Sequence, residues 1–256
     1  MYHARVASLP SERKALLFSA GGVRLALRLA HIREIVNAAP DAAEVRARGE
    51  SLPAVSVAAA LGLPEGPAPY ALLVDRAALR AEALHGIVDL AEAEVFQLPA
   101  RTTLPSPAPF VGAVVWKGAI ALELAPSAVA SPPAPAAEEP PPPAGDGPPA
   151  EREFLFARAG RTYGVPLPLL LQVLEGPRVA PVPLAPPSHR GLVYHGRAIH
   201  PVLDVAVRYG HAGGPDGKSV LLLDAGGSGV GVLADRVLGL GEATVDVVRP
   251  PWDALW

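Results

Sequence analysis

The sequence predicts a mainly β protein made of two related halves, and three observations predict it. Proline (31) and glycine (25) make up about a fifth of the 256-residue chain, nearly double their usual share. Punctuation that dense favours many short strands over long helices. Second, Val23-Arg24-Leu25-Ala26-Leu27-Arg28-Leu29 sets apolar residues at every other position, the period that gives a strand one buried face. Third, the chain repeats itself. Phe154-Leu155-Phe156-Ala157-Arg158-Ala159-Gly160-Arg161-Thr162-Tyr163-Gly164-Val165-Pro166-Leu167 echoes residues 16–29 down to the glycine turn, at a spacing of about 140 residues.

Composition narrows the function. Half the residues are hydrophobic, so the chain can bury real cores. It has no cysteine, which excludes disulfide frameworks, thiolate catalysis and sulfur-ligated metals. A net charge of −3 and a pI near 6.2, without a lysine or arginine cluster, argue against nucleic acid and anionic membrane as partners. Met1-Tyr2-His3-Ala4-Arg5-Val6 lacks the apolar core of a signal peptide. No apolar run approaches the ~20 residues of a membrane span. The expectation is a soluble, cytoplasmic protein with no direct membrane insertion.

In chain order, residues 1–13 read as a loose arm. Ala15–Ala20, Gly21-Gly22 and Val23–Leu29 read as a hairpin, continued by His31–Val36. Asp41-Ala42-Ala43-Glu44 fits a capping box and Gly49 a helix end, which predicts a two-turn helix there. Tyr70–Asp75 and Leu84–Asp89 are strands, and Phe110–Val115 with Ala119–Leu124 closes a first unit over 14–130. Residues 131–150, rich in proline, read as a linker near polyproline II, a spacer with a reach of roughly 60 Å. The second unit, 151–256, includes the strand–turn–strand of 189–207 and the strands Val220–Asp224 and Val230–Val237. Along the last of these, Val230, Val232 and Ala234 should share one face, with Gly231, Leu233 and Asp235 on the other.

The stretch 189–207 resembles the signature of CheW-like domains, the coupling modules of bacterial chemosensory arrays. The matching residues are Gly191-Leu192, Gly196 and Pro201-Val202-Leu203-Asp204-Val205; the turn is one residue shorter, and His195 stands where the family has arginine. Arg48-Gly49-Glu50-Ser51-Leu52-Pro53 resembles the same signature in the first unit, with Ser56 in place of the aspartate and the strand before Arg48-Gly49 missing, so that the front half is abbreviated. Ile32 and Glu34 fall on the family's Val-x-Glu step, and Leu170 and Gln172 follow in the second unit. Leu84–Asp89 and Val230–Val237 resemble the family's Val-Gly-x-hydrophobic-Val-Asp strand.

The resemblance implies two CheW-like units, each a pair of small five-stranded barrels with few short helices. It implies a non-enzymatic adaptor without cofactors, coupling the cytoplasmic tip of a chemoreceptor to the regulatory domain of a CheA-type histidine kinase. Ile32, Glu34, Arg48, Leu170, Gln172 and His195 would then lie in partner-contacting regions. An assembly protein that uses this fold without a kinase is the first alternative. A β-fold hydrolase or small-molecule-binding protein is the second.

Sharper local motifs are outweighed by plainer readings. Gly217-Lys218-Ser219 ends like a phosphate loop, but Ala212 stands where its first glycine belongs and a strand follows. Gly226–Gly231 lacks a third fingerprint glycine and reads as a hairpin turn. His195, His200 and Asp204 are metal-ligand types, but a strand over 199–205 separates 195 from the other two, leaving polar rim positions. Asp75, Asp89, Asp224 and Asp235 read as turn-starting residues at matching places in the halves. Trp252 and Trp256 read as core or interface. Finally, the second unit lacks a closing hairpin, which predicts an open sheet edge. Three remedies are open: the Pro-Pro-Trp tail covers it, first-unit or arm residues brought in by the linker cover it, or, as the favoured reading, another chain does so through self-association or strand donation.

Overall fold

The computed structural model describes residues 11–39, 42–130, 134–138, 140, 152–211, 213, 214, 217–241 and 247–252. Residues 1–10 of the expected arm, most of the linker, and Trp256 lie outside them. The protein is mainly β. It divides into two compact units, Met1–Leu98 with Ser106–Ala134, and Pro99–Pro105 with Pro135–Trp256.

The first unit runs β1 (Lys14–Ala20), β2 (Val23–Arg28), β3 (Glu34–Asn37), β4 (Glu44–Ala47), β5 (Glu50–Ser56), α1 (Val57–Ala60), β6 (Tyr70–Leu73), β7 (Ala78–Ala81), β8 (Ala83–Asp89), β9 (Glu94–Phe96), β10 (Phe110–Trp116), β11 (Ala119–Leu124) and α2 (Pro126–Ala130). One sheet has the order β8-β1-β2-β11-β10-β9 and the other β3-β6-β7-β5-β4. The alternation in β2 buries Val23, Leu25 and Leu27 while Arg24 stays exposed.

The helix expected over 41–48 is a strand instead. Residues 40 and 41 lie outside the described positions, and Glu44–Ala47 forms β4, paired antiparallel with β5. The physical reason is local. Arg48 and Gly49 both take positive φ (49° and 87°) and close a two-residue hairpin. Val45 is buried between exposed Glu44 and Arg46, a period of two hidden inside a capping signature. The front half therefore keeps the strand before Arg48-Gly49.

The second unit runs β12 (Glu153–Arg158), β13 (Arg161–Pro166), β14 (Leu170–Glu175), β15 (Val179–Ala180), β16 (His189–His195), β17 (Ala198–Leu203), α3 (Val205–Arg208), β18 (Ser219–Asp224), β19 (Gly229–Ala234), β20 (Arg236–Gly241) and β21 (Val247–Val248). Its sheets are β20-β12-β13-β21 and β14-β18-β19-β17-β16-β15. Element by element this repeats the first unit: β17 runs parallel to β19 as β5 does to β7, and β20 flanks β12 as β8 flanks β1. Both faces of β19 are buried, as its alternation predicts. Val232 and Ala234 join Phe156, Tyr163, Val165, Leu221 and Trp252 in one cluster, and Leu233 joins Leu174, Val193, Val202, Val220 and Leu222 in another. Pro201 stands before Val202, where β17 gains its second neighbour, so no missing donor interrupts that ladder.

Two equivalences differ from the sequence reading. By place, β7 rather than Leu84–Asp89 matches β19, and Glu82 rather than Asp89 matches Asp235. The Glu82 amide donates to Ser19 O as the Asp235 amide donates to Ala157 O. The Glu82 carboxylate accepts from Gly21 N (2.8 Å) as Asp235 accepts from Ala159 N (2.8 Å). Each clasp ties down a hairpin turn. Gly86 then matches Gly239; both have positive φ (108° and 93°) and mark the bulge where the edge strand shifts register. Sequence matching followed the Gly-hydrophobic-Val-Asp letters; backbone register follows the clasp.

One polar network belongs to the second unit alone. Arg158, fully buried, donates through Nε and Nη2 to both carboxylate oxygens of Asp204, which is also fully buried, and through Nη1 to Asp235. Asp204 also caps α3 by accepting from Ala206 N and Val207 N. The first unit has Ala20 and Ser56 at these places, and Ser56 caps α1 through Ala59 N.

The sheet edge beyond β13 is covered in cis by residues 247–252, the tail remedy, and not by another chain. In chain order β21 follows β20 as β9 follows β8. In the sheet, however, it lies parallel to β13, the slot that β11 takes beside β2. Glu153 and Arg249 form a two-pronged ion pair there (2.8 and 3.1 Å), and the Trp252 indole donates to Gly164 O (2.9 Å). The Pro-Pro-Trp segment folds onto the unit instead of leaving it bare.

Candidate functional site

In the five-stranded sheet of the first unit, β3 and β4 are the two outermost strands, yet their side chains meet. Arg48, on the turn from β4 to β5, places Nε 3.0 Å from Glu34 Oε2 on β3. Beside them Arg33 Nη2 lies 2.7 Å from Glu50 Oε2. The bond to Glu50 raises the Arg33 pKa above its ordinary value. The two pairs cross a seam where the sheet curls edge toward edge. The niche beneath them, lined by Ala47, Leu52 and Leu73 among others, holds about 30 Å³, room for a water and no more. Arg48 is 79% exposed. Exposed ion pairs contribute roughly 0–1 kcal/mol, so these residues present charge far more than they hold the fold.

The second unit repeats the seam with different chemistry. Glu34 stands opposite Leu73 and Gln172 opposite Leu222, which occupy the same place in β6 and β18. Gln172 Oε1 lies 2.8 Å from His195 Nε2, a hydrogen bond in which the imidazole donates. The structure thus brings together Glu34 with Arg48, and Gln172 with His195. Leu170 begins β14 and Ile32 stands two residues before β3, both as half-buried apolar residues. Leu171 is 58% exposed at the bulge in β14, where the first unit has Arg33.

Sequence reasoning missed Arg197. The hairpin of the second unit turns at Gly196 and Arg197, both with positive φ (59° and 62°), where the first turns at Arg48 and Gly49. Arginine is the second residue of this turn and the first residue of the other. Counting from the turn rather than from the preceding strand would have found it. Gly191 is fixed by packing: a Cβ there would lie 2.2 Å from Ala180 O on the neighbouring β15, closer than real contacts allow.

The metal reading of His195, His200 and Asp204 is not assembled. The His200 ring nitrogens contact the Gly229 and His195 carbonyls, and Asp204 is engaged by Arg158. Gly217-Lys218-Ser219 runs into β18, and Gly226-Gly227 forms the turn into β19, with Gly227 N donating to Asp224 (2.8 Å).

Pro177, Val179, Val182, Pro186 and Leu233, with His189 and Arg190 among others, border a groove of about 430 Å³. His189 is buried, and neither ring nitrogen has a hydrogen-bond partner among the described residues. Burial pushes its pKa down to about 4 from 6.5. The unfolded chain takes up this proton below about pH 6.5, while the folded unit refuses it until about pH 4. Stability of the second unit is therefore expected to fall as pH drops through that window. Urea midpoints at pH 7 and pH 5 check this: His189→Leu should flatten the difference, and an unchanged difference would assign the pH dependence elsewhere.

Comparison with known proteins follows the same division. A family model described as a CheW-like domain matches residues 153–255. Among solved structures, the scaffolding protein TtCheW from Thermoanaerobacter tengcongensis is similar at 16% identity, over 48% of this chain and 91% of that one, with a TM-score of 0.39. No curated protein matches. Among the described residues, no helix is long and apolar enough to cross a membrane.

Proposed function

We propose that the protein, whose residues 153–255 match the CheW-like domain family, is a non-catalytic chemotaxis adaptor that works through its surface. In this reading its two units hold the regulatory domain of a CheA-type histidine kinase and the cytoplasmic tip of a chemoreceptor. The observation that carries it is the exposed seam. Glu34 and Arg48, which resemble the family's contact positions, meet at 3.0 Å on a surface that contributes little to stability. The first unit offers the partner two ion pairs. The second offers the neutral Gln172–His195 pair beside exposed Leu171. Charge complementarity governs encounter and partner choice, so the charged seam suits the kinase and the neutral one suits a less charged partner.

The test is the double variant Glu34→Ala with Arg48→Ala in the full chain, titrated with a kinase regulatory-domain fragment by calorimetry. Affinity should drop about tenfold, equivalent to about 1.4 kcal/mol, with the melting temperature nearly unchanged. Wild-type affinity in the double variant would move the kinase contact off this seam.

A further inference from the structure

The proline-rich segment before the second unit is not simply a spacer. Its residue Glu138 reaches both Ser188, just before β16, and Arg208 at the end of α3. One carboxylate oxygen accepts from the Ser188 amide (3.0 Å). The other accepts from the Ser188 hydroxyl and from Arg208 Nη1 (2.9 Å). Two residues earlier, Ala136 N donates to Leu184 O (2.8 Å). The residues described here, 134–138 and 140, have no regular secondary structure.

The receiving side is built and rigid. Ser188 is 3% exposed, and its carbonyl is held by Asp204 N (2.8 Å), next to the buried ion pair. Arg208 closes α3 with its side chain 15% exposed. Burial would raise the Glu138 pKa, but the hydrogen bonds from Ser188 and Arg208 outweigh it and hold the carboxyl below its ordinary value. The nearly buried Ser188 hydroxyl and amide are costly to leave without an acceptor, and the Arg208 guanidinium sets a positive charge beside them. The site therefore demands an anion. In the second unit 176–188, with β15 among them, separate β14 from β16, where only 38–43 separate β3 from β4 in the first.

We propose that Ser188 and Arg208 form a binding site for the carboxylate of an acidic, extended peptide, and that Glu138 occupies this site in cis. The backbone bond at Leu184 sets the peptide's direction, and the carboxylate supplies the specificity. A tethered occupant acts at an effective concentration in the millimolar range. An acidic segment from another chain therefore enters only by displacing the linker. Displacement would free the linker from the second unit, so peptide capture and linker release are one event.

The experiment uses the whole ¹⁵N-labelled chain and a synthetic peptide with the sequence of residues 134–140. The Glu138→Ala chain, with Glu138→Gln as a second variant in case the first folds poorly, should bind the peptide with shifts at the Ser188 and Arg208 amides. Wild-type chain should bind it at least tenfold more weakly. A peptide carrying glutamine in place of Glu138 should bind neither variant, and Arg208→Ala added to Glu138→Ala should abolish binding. Equal binding to wild type and variant, equal binding of the glutamine peptide, or no binding to either variant at millimolar peptide would overturn the proposal.

Discussion

Arg158→Ala is expected to destabilise the second unit by about 3–5 kcal/mol, the range for breaking a buried ion pair by removing one partner. The reason lies with what is left behind. Asp204 has no exposed surface, so its carboxylate would remain charged or take up a proton without its guanidinium. It would also continue to cap α3 through Ala206 N and Val207 N, a role better served by an anion or hydroxyl than by a neutral acid. The first unit contains the control. Ala20 and Ser56 stand at the corresponding places, and the serine caps the helix without a buried charge. The double variant Arg158→Ala with Asp204→Ser should recover a large part of the loss. Urea unfolding monitored by hydrogen exchange at 219–224 measures both. A single variant that loses less than about 1 kcal/mol, or a double variant that loses the sum of both changes, would show that the pair is not coupled.

Phe156→Ala should cost a similar ~3–5 kcal/mol, by lost transfer energy and a cavity. Phe156 is fully buried. It stacks on Tyr163 with ring centroids 5.4 Å apart and tilts against Trp252 at 6.5 Å. Three aromatic rings on three separate stretches of chain share this centre, so one truncation loosens β12, β13 and the segment after β21 together. Burial pushes the Tyr163 hydroxyl pKa up to about 12, which fits a ring held deep in the core. Hydrogen exchange should report the loss as reduced protection at 154–165 together with 247–249. Loss of protection at 154–165 alone would mean that Trp252 is anchored by its bond to Gly164 rather than by the ring.

Much of this architecture was legible in the letters. The period of two in Val23–Leu29 and in Val230–Asp235, and the repeated glycine turn, fixed strand type and duplication because side-chain alternation is a property of the backbone itself. Glu34 with Arg48, and Gln172 with His195, could be singled out through the resemblance to the family's contact positions. That each pair touches was not legible, since the contact depends on a sheet curling its outer strands together. The misreadings share a cause. At Asp41–Gly49 the cap-like residues were local, while the competing pairing of β4 with β5 was set by two positive φ values. At Leu84–Asp89 the apolar letters fit two registers, and only the Glu82 clasp selects one. Arg158 and Glu138 were hidden for a related reason: their partners lie 46 and 50 positions away.

The slot taken by β21 has a consequence for the order in which the second unit comes together. The hairpin of β12 and β13 closes between neighbours in sequence, whereas β21 reaches β13 only by returning from Val247 to Thr162. Loop closure over that distance is unfavourable until the intervening strands have condensed. The edge of β13 is therefore among the last surfaces to be covered on the way to the native state. Among the described residues, Val247 and Val248 pair along it, reinforced by Arg249 and Trp252. During synthesis this edge is exposed while the first unit can already be folded, and the apolar ladder most open to wrong pairing is the one completed last.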